Sequence, residues 1–318
     1  MRFLLFLCTL TLVMADGSGL KSRNVEVRAR AIASIGSLHT KENFIILYQH
    51  YQKMNTIEKI AYMKVLGRWR GEQRDKAMGI IGNTLLSRRE SRQVKIEATN
   101  SLAVMARDDD STEDTKAQKR VKKIVNVLKK GLRSTRDSYQ VRESIVQAFA
   151  TIGNADHIKA VSAALTDKYQ SVRIRAIQTF QALNATDHVK LLIKGCAREK
   201  YAGVQREYVE AIYKLDREKG FPLFIKILNN RKNDNALRIR LIEIVASYSA
   251  VEYDALHGKA VKALVKAYPN ETDMSTKRAV IRALGNFDIS QASIRRIYEM
   301  TQRERDELKE LGKEYLDY

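Results

Sequence analysis

The sequence predicts an all-α fold, an α-α superhelix of about eight stacked helical hairpins. Three observations support this prediction. Only 2 of 318 residues are proline, which breaks helix interiors. Hydrophobic residues make up 44% and charged residues 30%, as in chains that form a packed core. A helical apolar pattern also recurs along almost the whole chain, as it does in repeat proteins.

The recurring pattern defines a set of inner helices, named helix B of each unit. Apolar or small residues occur at offsets 0, 4, 5 and 8, and usually 11, which places them on one face of an α-helix. Clear examples are VRARAIASIGSL from Val27 and VRIRAIQTFQAL from Val172; IEKIAYMKVLGR from Ile57 is a weaker one. The eight segments start at residues 27, 57, 94, 141, 172, 204, 237 and 276.

A second set of helical patterns lies between these segments and predicts the outer helices, named helix A. They cover residues 43–53, 73–86, 117–132, 156–165, 187–198, 218–228, 255–268 and a terminal run from about 291. Each unit is thus an outer helix A followed by an inner helix B. One hairpin cannot bury its apolar face alone, so neighbouring units must stack to form a core.

The units resemble the HEAT-repeat family, most closely the HEAT-like repeats of the phycobilisome-lyase type. The resemblance is clearest in ALTDKYQSVRIRAIQTFQAL, with Asp167 in the turn, Val172 and Arg173 opening helix B, and Ala176 along it. It covers Val25 to about Asp288. The resemblance implies an armadillo-like helical solenoid and says little about function.

The first residues have the pattern of an export signal. Arg2 is followed by an apolar run from Phe3 to Met14 and then by Ala15, so we expect a signal peptide at 1–15 that is cleaved after Ala15. Residues 16–23 are expected to be a flexible segment. Residues 24–318 are expected to form a single solenoid, closed by a charged C-terminal capping helix. The signal peptide predicts that the protein is exported, and we expect a periplasmic or secreted location in the bacterial envelope.

Catalytic patterns are missing from the sequence. It has no GxSxG elbow, no phosphate-binding glycine loop, no CxxC and no His-Glu pair. Cys196 falls within a predicted helix and is expected to be buried. Asp156 and Asp187 are expected to cap outer helices. We therefore predict no enzymatic activity, no metal and no cofactor.

The positive charge is concentrated in the N-terminal third. Residues 21–136 contain 26 Lys and Arg and 12 Asp and Glu, a net of +14, within a chain of net +20. Residues 116–136 contain nine basic residues and no acidic one, whereas DDDSTED (108–114) precedes them as an acidic loop. The predicted helix is either a solvated outer helix offset by that loop or a polyanion-binding surface. The residues of the second alternative are Lys119, Lys122, Lys123, Lys129, Lys130 and Arg133.

The exposed face of the inner helices has mixed charge. Offsets 3, 6 and 10 point away from the apolar face and hold Arg30, Glu97, Arg175, Glu207, Glu210, Lys214, Arg240, Glu243 and Arg282. A nucleic-acid groove would be more uniformly basic, so nucleic acid is not expected and a protein partner is.

Two further series repeat from unit to unit. The basic residues at offset 1 of helix B (Arg28, Lys95, Arg142, Arg173 and Arg238) are expected to pair with acidic turn residues such as Asp137 or Asp167. Tyr139, Tyr169 and Tyr201 recur in the turns before helix B, where they either pack the turn or contact a partner.

The sequence therefore favours a non-catalytic scaffold or adaptor that binds a protein partner on the concave face of the solenoid. The alternative is an electrostatic binder of anionic lipid, lipopolysaccharide or another polyanion through the basic N-terminal third.

Overall fold

The computed structural model describes residues 18–134, 138–230, 233–249 and 253–287, together with 295, 298–302, 308–310 and 313. The predicted leader, Asp137 and most of the predicted C-terminal capping helix lie outside the described residues. The chain divides into two compact parts, named here unit 1 (Met1–Ala185) and unit 2 (Thr186–Tyr318). The helical hairpins within them are called repeats. All regular structure in the described ranges is helical, which confirms the predicted all-α class. None of the described helices has the length and apolar character needed to cross a membrane.

Unit 1 contains nine described helices. They are α1 (Val25–Ser37), α2 (Lys41–His50), α3 (Thr56–Gly67), α4 (Arg74–Leu86), α5 (Arg92–Asp110), α6 (Thr115–Ser134), α7 (Tyr139–Ile152), α8 (Ile158–Val161) and α9 (Gln170–Ala182). The 3-10 turns Ala155–His157 and Ser162–Thr166 flank α8. Within the segment expected to be flexible, Ser18–Lys21 form a 3-10 turn that packs on α1 and buries Leu20.

The stacking predicted from the repeats is present in unit 1. The inner helices α1, α3, α5, α7 and α9 pack on one another in order, and the outer helices lie against them on the other side. The apolar face predicted for the inner helices forms the core, with residues such as Ile32, Leu102 and Phe149 completely buried.

The helix α3 departs from the predicted register by one residue. Ile57 is 54% exposed, although the pattern places it on the apolar face, whereas Glu58 is buried. A capping box fixes this start: the Glu58 backbone N–H donates to Asn55 Oδ1 (3.0 Å) and the Asn55 N–H donates to Glu58 Oε2 (2.9 Å). Arg28 Nε also donates to Glu58 Oε1 at 2.6 Å, which holds the carboxylate inside.

Two glycines allow adjacent inner helices to approach closely. A Cβ atom on Gly67 would lie 2.9 Å from Ser101 Cα of the next inner helix, and one on Gly36 would lie 2.1 Å from Val65 Cγ1. Any larger residue therefore has to displace the neighbouring helix or its side chain.

The prediction that basic side chains at the second position of the inner helices form ion pairs is confirmed for three of the five. Arg28 pairs with Glu58 of the next inner helix, whereas Lys95 forms no ion pair among the described residues. Arg142 pairs with Asp167, and Arg238 pairs with Glu271 in unit 2. Arg173 donates to the Asp167 backbone carbonyl at 2.8 Å. The guanidinium groups thus satisfy turn carboxylates and carbonyls in the interior, which a buried charge requires.

The acidic segment 108–114 is only partly a loop. Residues 108–110 form the last turn of α5, where carboxylates oppose the helix dipole. Arginines offset this cost: Asp109 pairs with Arg74 (3.0 Å) and Arg120 (2.8 Å), and Asp108 pairs with Arg70 (2.8 Å).

Unit 2 continues the same hairpin pattern. Its described helices are α10 (Val189–Cys196), α11 (Ala202–Leu228), α12 (Asn235–Ala246), α13 (Asp254–Ala267) and α14 (Met274–Gly285). Non-helical angles at Asp216 (φ −162°, ψ 86°) divide α11 into an inner and an outer segment. Asp216 Oδ1 accepts a hydrogen bond from the Lys219 backbone N–H at 2.9 Å and so caps the second segment.

Two smaller predictions have opposite outcomes. Cys196 is completely buried, as expected. The expected cap at Asp156 is wrong, because Asn154 is the capping residue and its Oδ1 accepts from the Asp156 N–H at 2.9 Å. The expected cap at Asp187 is also wrong. Asp187 lies in the first turn of the 3-10 helix Thr186–His188, and the N-cap residue of α10 is His188.

Candidate functional site

The exposed face of α1 and α3 contains a groove of about 450 Å³, named here the inner groove. Small and aliphatic residues form most of its lining, among them Ala29, Ala33, Gly36, Ile57, Ala61 and Val65. With Ile57 54% exposed, the groove offers apolar surface to solvent. Sequence reasoning missed this site because it placed Ile57 and Ala61 in the core. The small residues at positions 29, 33 and 36 were the available signal, since they lie on one side of α1.

Basic side chains border the inner groove. Lys64 and Arg68 line it, and both are exposed. Neither forms an ion pair within the residues that the structure describes. The nearest acidic residue of the predicted set, Glu97, lines a smaller adjoining pocket of about 190 Å³ together with Lys64 and Arg68. Burial raises the pKa of Glu97, and the positive charges of Lys64 and Arg68 partly offset that effect.

His39 also lines the inner groove and is held in an unusual conformation. Its φ is +51°, and its ring contacts Trp69 edge to face with 5.2 Å between centroids. Its pKa is lowered by burial and by the positive charges of Arg70 and Arg74. The imidazole is therefore neutral at neutral pH and adds no charge to the groove.

The predicted inner-face residues of unit 1 are all on the surface, but they do not cluster. Arg30 is exposed and lies 3.8 Å from Glu26 of the same helix. Arg175 is half-buried, and its Nη1 donates to Gln147 Oε1 at 3.0 Å on the preceding inner helix. Only Glu97 lies beside the inner groove.

Three of the six predicted residues of unit 2 are paired with one another. Arg240 donates to Glu210 at 2.5 and 3.0 Å and to Glu243 at 3.0 Å. Glu207 is half-buried, while Lys214 and Arg282 are exposed. The Glu210–Arg240–Glu243 group thus uses its positive charge internally and keeps a net charge of about −1.

A second groove of about 710 Å³ lies between α12 and α14 of unit 2. Glu243, Arg278 and Arg282 contribute its charged lining, and Ile239, Ile242 and Ala279 contribute apolar surface. Its charge is mixed, so it selects less clearly for one class of ligand than the inner groove does.

The basic helix α6 has the two faces that the sequence predicted. Val121, Ile124, Val125 and Leu128 are buried. The six predicted basic residues, Lys119, Lys122, Lys123, Lys129, Lys130 and Arg133, are exposed. None of the six forms an ion pair among the described residues, because the acidic segment before them binds arginines instead.

The turn tyrosines of unit 1 pack on each other. The rings of Tyr139 and Tyr169 are stacked with 4.8 Å between centroids, and Arg142 lies over the Tyr169 ring at 5.5 Å. Tyr201 of unit 2 is 54% exposed.

Within the described ranges, no group of three His, Cys, Asp or Glu side chains is arranged to hold a metal ion. Burial raises the pKa of the Cys196 thiol to about 12, so the thiol is protonated and unreactive at neutral pH.

Comparison with known proteins identifies the repeat type. Residues 125–213 match the family model of HEAT repeats, which confirms the predicted HEAT-like repeats in that segment. No curated protein sequence matches the chain.

Several solved structures are similar at low identity. The CpcE–CpcF complex of phycocyanin lyase from Nostoc sp. PCC7120 is 17% identical, with 96% of this chain and 94% of that chain covered and a TM-score of 0.32. Human deoxyhypusine hydroxylase is 14% identical, with 88% and 96% covered and a TM-score of 0.34. A microtubule polymerase with tumor overexpressed gene (TOG) domain arrays, which recruits and assembles tubulin, is 10% identical, with 96% and 81% covered and a TM-score of 0.41. At these values the similarities assign no activity or partner to this chain.

Proposed function

We propose that this protein is a non-catalytic scaffold or adaptor whose inner groove binds a segment of a partner protein. The observation that carries the proposal is the inner groove itself, an apolar depression between α1 and α3 with Ile57 exposed in it. A depression lined by apolar side chains with a few charged groups at its border is the usual form of a binding site.

The charge of the groove defines the class of segment that it fits. Lys64 and Arg68 line the groove and form no ion pair among the described residues, whereas Glu97 lines only the adjoining pocket and no acidic residue lines the groove itself. An occupant with apolar side chains for the floor and acidic residues beside them would match both features, since complementary charge selects partners and orients them. The groove is therefore proposed to bind an acidic, partly apolar peptide segment.

The experiment selects short random peptides on the immobilised protein and measures their affinities by fluorescence anisotropy. We expect the selected peptides to combine apolar and acidic residues. Ile57→Asp should weaken their binding about tenfold or more, because it places a carboxylate in the apolar floor. Lys64→Glu with Arg68→Glu should weaken binding and remove its dependence on salt.

Matched controls separate the groove from general surface effects. Ile45→Asp changes an isoleucine of similar exposure (44%) on the outer helix α2 and should leave the affinity unchanged. Lys122→Glu with Lys123→Glu makes the same charge change on α6. Selection of basic peptides, or equal losses in the Ile45 and Ile57 variants, would contradict the proposal.

The proposed location is the bacterial envelope, and its support is the leader pattern of residues 1–15. The purified native protein should begin at Asp16. An N-terminus at Met1, found by sequencing of the native protein, would refute export by this route while leaving the groove proposal standing.

A further inference from the structure

A separate cavity of about 570 Å³ lies on the outer side of unit 1, where the end of α6 meets the segment 159–168. Its basic lining residues are Lys129, Arg133, Arg142, Lys159 and Lys168. Asp167 is the acidic residue of that lining. The cavity thus brings cations from α6, α7, α8 and the turn before α9 to one place, which no helical pattern in the sequence reveals.

The charge of Asp167 is already neutralised. Arg142, whose side chain is 3% exposed, donates to its two oxygens at 2.6 and 3.0 Å, and the Tyr169 N–H donates to Oδ1 at 2.9 Å. Burial alone would raise the pKa of Asp167, but these hydrogen bonds hold it below the usual value. Arg142 and Asp167 therefore form a neutral, rigid wall of the cavity.

The other four basic residues have no such neutralisation. Lys129, Arg133 and Lys159 form no ion pair among the residues described, and all three are exposed. Lys168 lies over the Tyr169 ring at 5.2 Å, a contact that leaves its positive charge in place. The described lining thus holds five basic residues and one acidic residue, a local excess of about four positive charges, which attracts anions.

The floor of the cavity is apolar. Leu132, Ala160, Ala163 and Ala164 line it, and its volume lies in the range of small-molecule sites. A ligand with a single carboxylate would bring one negative charge and would leave most of the four cations unpaired. A phosphoryl group carries about two negative charges at neutral pH and three acceptor oxygens, so two such groups balance the four cations.

We propose that this cavity is a binding site for a ligand that carries two or more phosphoryl groups. The proposal narrows the polyanion surface predicted for α6, because only Lys129 and Arg133 of that set line the cavity, and Lys159 and Lys168 come from outside it. It is independent of the inner groove, which lies on α1 and α3.

The test measures the affinity of tripolyphosphate by isothermal titration calorimetry at near-physiological salt. Lys159→Glu with Lys168→Glu should weaken binding about tenfold or more, since two charged hydrogen-bond donors are replaced by repelling carboxylates. Lys122→Glu with Lys123→Glu changes the net charge equally on exposed residues of α6 outside the cavity, and should weaken binding much less.

A third variant removes space instead of charge. Ala163 lines the cavity and is exposed to solvent. Ala163→Trp should therefore fill the cavity without disturbing the packed core. It should weaken tripolyphosphate binding although the net charge is unchanged. Thermal unfolding of each variant verifies that the fold is intact.

Vesicles distinguish the two sources of such a ligand. Phosphatidylcholine vesicles with and without one fifth diphosphoryl lipid A, a lipid whose headgroup carries two phosphoryl groups, are sedimented with the protein. Loss of vesicle binding in the Lys159 and Lys168 variant indicates a lipid headgroup, and binding of tripolyphosphate alone indicates a soluble phosphorylated compound. The proposal is overturned if neither probe binds, if the control pair weakens binding as much as the cavity pair, or if Ala163→Trp has no effect.

Discussion

Arg142 and Asp167 are 25 residues apart in sequence and form a two-point ion pair, with Nε donating to Oδ2 at 2.6 Å and Nη2 donating to Oδ1 at 3.0 Å. The two side chains are only 3% and 12% exposed. The pair fixes the start of one inner helix to the turn that precedes the next. Since both residues also line the cavity at the end of α6, the pair connects the stacking of the repeats to the proposed phosphate site.

Arg142→Met should lower the free energy of unfolding by about 3 kcal/mol, because it leaves the Asp167 carboxylate buried without its partner. Urea denaturation followed by circular dichroism measures this loss. Combining Arg142→Met with Asp167→Leu should restore part of it, since no unpaired charge remains. Arg30→Met, which breaks an exposed contact with Glu26, should change stability by less than about 1 kcal/mol. Equal effects of Arg142→Met and Arg30→Met would be inconsistent with a buried structural pair.

The same pair predicts a dependence of stability on pH. The pKa of Asp167 is lowered in the folded protein, so its contribution is complete above the ordinary value of 3.8 and is lost as the pH falls through the lowered pKa. The stability difference between the wild type and Asp167→Asn should therefore be large at neutral pH and shrink in acid. Urea midpoints measured from neutral pH to below 3.8 test this; a difference that grows in acid has the wrong sign.

Gly67→Ala should destabilise the protein by about 1–3 kcal/mol, because its methyl group meets the backbone of Ser101 and forces α3 and α5 apart. Gly79→Ala is the matched control on α4, where a Cβ meets no atom within 4 Å. It should instead stabilise the helix by up to about 1 kcal/mol. Thermal unfolding of the two variants should give shifts of opposite sign, and a shared sign would argue against the close approach.

Cys196 should not react with a thiol reagent in the folded protein. The side chain is completely buried, so the reagent cannot reach it. Burial also raises the pKa of its thiol to about 12, so the reactive thiolate form is scarce. A Cys8→Ser variant makes Cys196 the single thiol for labelling with Ellman's reagent at mildly alkaline pH. Labelling should be negligible until urea unfolds the chain; rapid labelling under native conditions would show that the helix α10 opens.

Helix positions were predictable because an apolar period of 3.6 residues is a local property of the chain. The predicted inner segment from Val172 and α9 (Gln170–Ala182) agree within a few residues, as do the predicted outer segment 73–86 and α4 (Arg74–Leu86). The pairing of Arg142 with a turn aspartate was predictable from its repetition. The register of α3 was not, because Asn55 and Glu58 set the start of that helix through a capping box that the apolar pattern does not include.

Some features of the candidate sites were likewise predictable from the local sequence, and others were set by tertiary contacts. The exposure of the six basic residues of α6 follows from the amphipathic pattern of one helix. Their lack of ion pairs among the described residues does not, since it depends on Asp109 being paired with Arg74, which lies 35 residues earlier in the chain. Whether the Glu210–Arg240–Glu243 charges face a partner or one another was likewise decided by contacts across 30 residues.

The sequence by itself determined that the chain forms amphipathic helices in repeating pairs, that Cys196 lies inside, and that positive charge is concentrated before residue 137. Each of these depends on the spacing or count of residues near one another in the chain. Only the tertiary structure decided that Ile57 faces an open groove, that Gly67 touches the next inner helix, and that Lys159 and Lys168 join the end of α6 around a cavity. Those features depend on how repeats pack, and packing is set by close contacts between residues that are distant in sequence.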